Sequence, residues 1–167
     1  MYFKRRSEDK LGGDRLKERL RQLKFIVSMF KLGMEKFDEV MGPESIQTIF
    51  RLIGEHQGEE IEKRLKQKHK IEKWTKELFA EKLRNDILDP ALGEGQSEIK
   101  VESDGLNVIM RTCPFKKAGI DITGKYFCTY TECLIETVAK HALGDGEFKS
   151  VKLRSVDNCD CEFKIKV

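Results

Sequence analysis

The sequence predicts an α+β fold in which N-terminal helices pack on an antiparallel sheet and one late helix lies between strands. Three observations carry this reading. The first half bears apolar residues at helical spacing, the second half bears short segments that alternate with period two, and all five cysteines fall in the second half. A length of 167 residues with 39 % hydrophobic content is enough for one core. Residues 1–167 therefore read as a single domain with a helical part, 1–89, and a strand–helix–strand part, 97–167, that holds every cysteine.

Charge excludes some functions before any motif is considered. Charged residues make up 37 % of the chain, but 32 Lys and Arg against 29 Asp and Glu leave a formal charge of only +3. Nucleic-acid binding rests on one-signed surfaces, so no nucleic-acid partner is expected, although residues 63–76 are locally basic. Apolar runs are a few residues long against the roughly 20 of a membrane span, and no apolar signal segment follows the basic N-terminus. The expectation is a soluble, cytoplasmic protein without a membrane span.

The elements follow in order. Leu16, Leu20, Leu23, Val27, Phe30, Met34, Phe37 and Met41 are spaced alternately by four and three, one long helical stripe. Asp14 after Gly12-Gly13 is the expected cap, and Gly42-Pro43 the expected stop. The stripe fits an intramolecular core or, by its heptad spacing, antiparallel packing across a dimer. Pro43 suits the first turn of a second helix with Ile46, Ile49, Phe50, Ile53, Ile61 and Leu65 on its apolar side. Gly54 and Gly58 inside that helix cost roughly 1 kcal/mol each relative to Ala, which implies a close approach to another element or a ligand. His56 between them reads as an exposed helix histidine rather than a ligand or base. A third helix is expected over about 71–88, ending at Asp89-Pro90.

In the second half, 98–102 alternates as a strand, Asp104-Gly105 signals a type I′ hairpin, and 106–111 follows as a more central strand closed by Cys113-Pro114. A helix over 126–143 ends at Gly144. Residues 148–156 read as a strand, and 159–167 as a last strand with Cys159, Cys161, Phe163, Ile165 and Val167 on its buried face.

Five cysteines without a secretion signal suggest metal binding or free thiols before disulfides, although the Glu- and Lys-rich composition resembles heat-adapted proteins, in which intracellular disulfides occur. Cys128 and Cys133 lie about 140° apart around a helix and do not face one ion. The plausible zinc quartet is Cys113, Cys128, Cys159 and Cys161, with Cys133 a small buried side chain. Inert buried cysteines and a disulfide remain alternatives, as does a thiol nucleophile at Cys128, whose pKa a helix N-terminus would lower; no histidine stands at a spacing that suggests a dyad.

Gly54-Glu55-His56-Gln57-Gly58, Cys113-Pro114-Phe115, Phe127-Cys128-Thr129 and Asn158-Cys159-Asp160-Cys161-Glu162-Phe163 form an order that resembles the 4-vinyl reductase domain family over roughly residues 32–167. The resemblance implies a fold similar to that of TRAPP vesicle-tethering subunits, a homodimer, an apolar small-molecule ligand and, as in the family's sensor members, zinc on cysteines of this half. Cys128 and Cys161 match the family's positions. A further cysteine expected about eight residues before Cys161 falls near Leu153, so Cys159 and Cys113 would have to substitute. Cys-Pro-Phe and the late Asp-Cys-Glu-Phe also resemble the aminothiazoline carboxylate hydrolases. The functional expectation is thus a small-molecule binding domain, for apolar or aromatic ligands, stabilised by a structural zinc ion (Zn2+). The alternatives are a metal- or thiol-dependent enzyme and a dimeric interaction scaffold.

Overall fold

The computed structural model describes residues 3–124, 126–157 and 160–167, and for 3–13 and 157 the backbone alone. Its contacts divide the chain into two compact units, Met1–Gly42 and Pro43–Val167.

The first unit is one helix, α1 (Phe3–Met41), which ends at Gly42 with φ 77°. It begins well before the cap expected at Asp14 and runs through Gly12 and Gly13, because glycine weakens a helix without forbidding it. The side chains assigned to a stripe are exposed except for half-buried Met34: Leu16 is 60 % exposed, Phe30 43 % and Phe37 54 %.

The second unit is the predicted α+β arrangement. It opens with α2 (Pro43–His69), whose buried residues are Ile46, Phe50, Gly54, Gly58, Ile61, Glu62 and Leu65. Ile49 and Ile53, expected on that face, are exposed. Lys70 at φ 53° ends the helix. The third helix starts later than expected, because residues 71–75 cross α2 instead of coiling. Trp74 Nε1 donates to the buried Glu62 carboxylate at 2.8 Å, and Thr75 caps α3 (Lys76–Leu83) by accepting from Leu78 N–H. Nor does Asp89-Pro90 stop the chain. A π-helical turn, Arg84–Leu88, sends the Asp89 N–H to the Arg84 carbonyl, and α4 (Asp89–Leu92) follows with proline in its first turn, where the missing N–H costs little.

The sheet consists of β1 (Ser97–Glu102), β2 (Gly105–Met110), β3 (Glu147–Lys152) and β4 (Cys161–Lys166), in the order β1-β2-β4-β3, every neighbouring pair antiparallel. Between β2 and β3 the chain forms α5 (Pro114–Lys117) and α6 (Phe127–Leu143), and between β3 and β4 a short α7 (Arg154–Asp157). Leu106, Val108 and Met110 pair with Ile165, Phe163 and Cys161, and all six are buried on one face. Phe79 and Leu83 of α3 and Ile135 and Val138 of α6 close over that face, and Leu65 of α2 joins the same core. The β1–β2 connection corrects the hairpin reading. Glu102 pairs with Gly105, so Ser103 and Asp104 form the turn, and neither has the positive φ of a type I′ turn. Glycine is needed at 105 for another reason: a Cβ there would lie 1.9 Å from the Ile165 carbonyl oxygen of β4.

Gly54 and Gly58 meet the expected close approach. A Cβ on Gly54 would lie 2.5 Å from the Tyr130 carbonyl oxygen, and one on Gly58 2.7 Å from Thr137 Cβ. The two glycines, one turn apart, thus let α6 settle onto the α2 backbone. This seats α6 against the sheet on one side and α2 on the other, and so fixes where the helix begins.

Candidate functional site: a thiol corner at the start of the late helix

Three segments distant in sequence meet at the start of α6. Cys128 is the second residue of α6, and Cys161 opens β4 opposite Met110 of β2. Cys113 stands three residues beyond β2, as the residue before α5. Cys161 is buried; Cys128 and Cys113 are half-buried, and all three are free thiols. Rings pack beside them. Phe115 of the Cys-Pro-Phe motif lies 5.0 Å from Phe127 of the Phe-Cys-Thr motif, which in turn contacts Phe50 of α2 at 5.3 Å. These rings fix the N-terminal turn of α6 against α5 and α2.

The chemistry of the corner lies in a single shared proton. The Cys161 S–H donates to the Cys128 sulfur, and this bond, together with the hydroxyl and backbone N–H of Ser155, holds the Cys128 thiol down to about 6 against the opposing effect of burial. Giving up that proton would put two thiolates side by side in a buried place, so Cys161 is held well above the ordinary thiol range, by its bond to Cys128 first and by burial second. The Arg154 N–H donates to Cys161 Sγ at 3.4 Å. Consecutive backbone N–H groups at the start of α7 therefore serve the two sulfurs. The Arg154 guanidinium lies close by, donating to the Arg111 carbonyl at 2.7 Å and to Asp160 at 3.0 Å.

Of the four cysteines proposed from sequence, Cys128 and Cys161 are brought together. Cys113 is near enough for its charge to raise Cys161 but does not join them in a close cluster. Cys159 lies outside the described residues. Among the described residues no three His, Cys, Asp or Glu side chains are grouped as metal ligands. The donor chemistry nevertheless fits a soft divalent ion. Two sulfurs on a tetrahedral zinc centre with bonds of about 2.3 Å stand about 3.8 Å apart, close enough to share a hydrogen. Metal thiolates also keep lone pairs that accept N–H bonds, as Arg154 and Ser155 provide here.

Cys133 is the small buried side chain expected: it faces the α2 crossing, 3.1 Å from where a Gly54 Cβ would be, and burial pushes its thiol up. His56 is exposed, and His141 faces Glu59 at 3.9 Å, remote from Cys128. The sequence does not reveal Arg154 and Ser155, because 148–156 reads as one strand. The strand ends at Lys152 after an irregularity at Ser150/Lys152, and Leu153 packs against the core where a further cysteine was expected. In Arg154-Ser155-Val156-Asp157 the structure buries Ser155 and exposes Val156, and a single turn of helix leaves no periodic signal in the sequence.

A cleft of about 700 Å³ opens elsewhere along α6, between α2 and β3, lined by Glu44, Gln47, Arg51, Glu132, Glu136 and Lys149 with Cys133 and Phe148. Its walls are mostly polar. No helix of the described residues is long and apolar enough to cross a membrane. No protein-family model and no curated protein matches the chain.

Proposed function

We propose that the chain is a small-molecule binding domain, similar to 4-vinyl reductase domain proteins, in which a structural zinc ion ties the closing strand to the late helix through Cys113, Cys128, Cys159 and Cys161. The observation that carries this reading is the sulfur pair. Cys128 and Cys161, from elements 33 residues apart, share a proton and take backbone N–H bonds from Ser155 and Arg154. Zinc with four protein ligands has no open position and supplies folding energy rather than reaction chemistry. The 700 Å³ cleft is within the size range of small-molecule sites. Its carboxylates and basic groups make a wholly apolar guest costly to seat, so the ligand we infer has an apolar or aromatic body, seated on Phe148, and polar groups at its edge.

Native mass spectrometry and elemental analysis of untagged protein test the metal. One zinc per chain, lost together with thermal stability in Cys128→Ser and Cys161→Ser, is the expected result. Five free thiols with no zinc, and unchanged stability in both variants, overturn it.

The thiol-dependent enzyme reading, similar to aminothiazoline carboxylate hydrolases, draws on a different property of the same group, a half-buried thiol titrating near 6. It requires turnover that disappears in Cys128→Ser while the fold survives.

A further inference from the structure

We propose that α1 is a self-association helix: two copies of the chain pack their seams, Leu16 to Met41, as an antiparallel two-stranded coiled coil. This rests on the first unit alone and is independent of the zinc reading. Eight apolar residues spaced four and three follow a period of 3.5, which keeps one seam facing a partner only when two helices supercoil. Seven of the eight are exposed, and Met34 is half-buried. The seam spans about 39 Å of helix. Covering it would remove on the order of 700 Å² per chain, close to the roughly 800 Å² per partner of a standard interface.

The occupant is a second copy because the two ends of the seam complement each other. The N-terminal half carries Leu16, Leu20, Leu23 and Val27; the C-terminal half carries Phe30, Met34, Phe37 and Met41. In antiparallel register every layer pairs one aliphatic residue with one Phe or Met: Leu16 with the partner's Met41, Leu20 with the partner's Phe37, Val27 with the partner's Phe30. Volumes are then even along the seam, whereas parallel packing would stack phenylalanines at one end and leucines at the other. The flanking charges agree. Parallel chains would set Arg19 against the partner's Lys24 with no opposite pair to offset it. Antiparallel chains bring Lys17 to the partner's Asp38, which offsets the approach of Lys24 to the partner's Lys31.

Sedimentation of the full chain over a wide concentration range tests this, with vesicles of phosphatidylcholine and phosphatidylserine as a parallel arm. The proposal expects a monomer–dimer equilibrium and a monomeric Val27→Asp variant in which the near-ultraviolet signal of Trp74 in the second unit is unchanged. It expects Lys17→Glu to weaken the dimer several-fold and Lys17→Glu/Asp38→Lys to restore it, with the Asp38→Lys single variant required to keep the unfolding midpoint of the second unit. A chain that stays monomeric, a dimer indifferent to Val27→Asp, a failed charge-swap rescue, a larger assembly, or a monomer that sediments with the vesicles overturns it.

Discussion

Cys128 and Cys133 lie five residues apart on α6 and have opposite chemistry. Cys133 sits where α6 crosses the two glycines of α2, and burial, outweighing the nearby Arg51 charge, pushes its thiol up. Cys128 sits at the first turn, where the Cys161 S–H and two donors of Ser155 converge, and its thiol falls to about 6. Burial opposes ionisation at both sites. Hydrogen-bond donors decide the sign, and they reach only one of them. One helix thus has a packed middle, where the α2 glycines touch it, and a first turn rich in donors, and the glycine crossing fixes the position of both.

The crossing is therefore the strongest place to break the comparison. In Gly54→Val the new Cβ would meet the Tyr130 carbonyl oxygen at 2.5 Å, a backbone atom that cannot swing aside. The expected cost is about 3 kcal/mol from forced separation of two packed helices, read from urea unfolding. The same variant should expose Cys133 to a thiol reagent under native conditions. A loss below about 0.5 kcal/mol, the size of an ordinary surface substitution, would mean that α2 and α6 are not held at this distance.

Cys133→Ser and Cys128→Ser come next in size. At position 133 a hydroxyl would be buried in the helix crossing, at a cost of about 1–2 kcal/mol. At position 128 the hydroxyl inherits the donors of Ser155, and in metal-free protein near pH 6, below the range in which the folded thiolate adds stability, the loss should be smaller. Equal losses would show that the two surroundings do not differ in polarity. With zinc added, the order should reverse if the proposed site forms, since of the two only Cys128 belongs to it.

The packed stretch is far more legible than the donor-rich first turn, and the reason is physical. Packing leaves a periodic trace: the buried row of α2, apart from Ile49 and Ile53, the alternation of 161–166 and the glycine pair can each be read from spacing, because one face must be apolar or small. Where a lone hydrogen bond decides, spacing is silent. Residues 71–75 continue the helical apolar pattern through Ile71, Trp74 and Leu78, but the Trp74 bond to Glu62 and the Thr75 cap hold them out of the helix. The sequence places Cys128 at the start of the late helix and Cys161 on the buried face of the last strand. It does not place Arg154 and Ser155, because a one-turn helix has no period to detect. The α1 seam shows the limit from the other side: spacing revealed an apolar stripe, but spacing alone does not say whose surface covers it.

Thiol labelling separates the two cysteines without changing the protein. In metal-free protein, iodoacetamide modification of Cys128, followed by peptide mass mapping, should rise with a midpoint near pH 6, the value its donors impose. Modification of Cys133 should stay slow until well above the usual thiol range, since both access and ionisation are suppressed. A common midpoint for the two would remove the electrostatic distinction drawn between them.

The same distinction can be read from stability as a function of pH. Between pH 6 and the ordinary thiol value of 9.0, Cys128 is ionised when folded and protonated when unfolded. The unfolded chain then binds the extra proton, so stability rises with pH across this window and is lost as pH falls through 6. Above 9.0 the sign turns, because Cys161 is held protonated in the fold while its unfolded thiol ionises. Metal-free protein should therefore gain stability from pH 6 to 9 and lose it beyond. Cys128→Ser should remove the rise within the lower window, whereas Cys133→Ser should leave it in place, because the Cys133 thiol, raised by burial, stays protonated there in both states. If unfolding midpoints at pH 6, 7.5 and 9 shift equally in both variants, the proton shared between α6 and β4 is not what sets Cys128 apart.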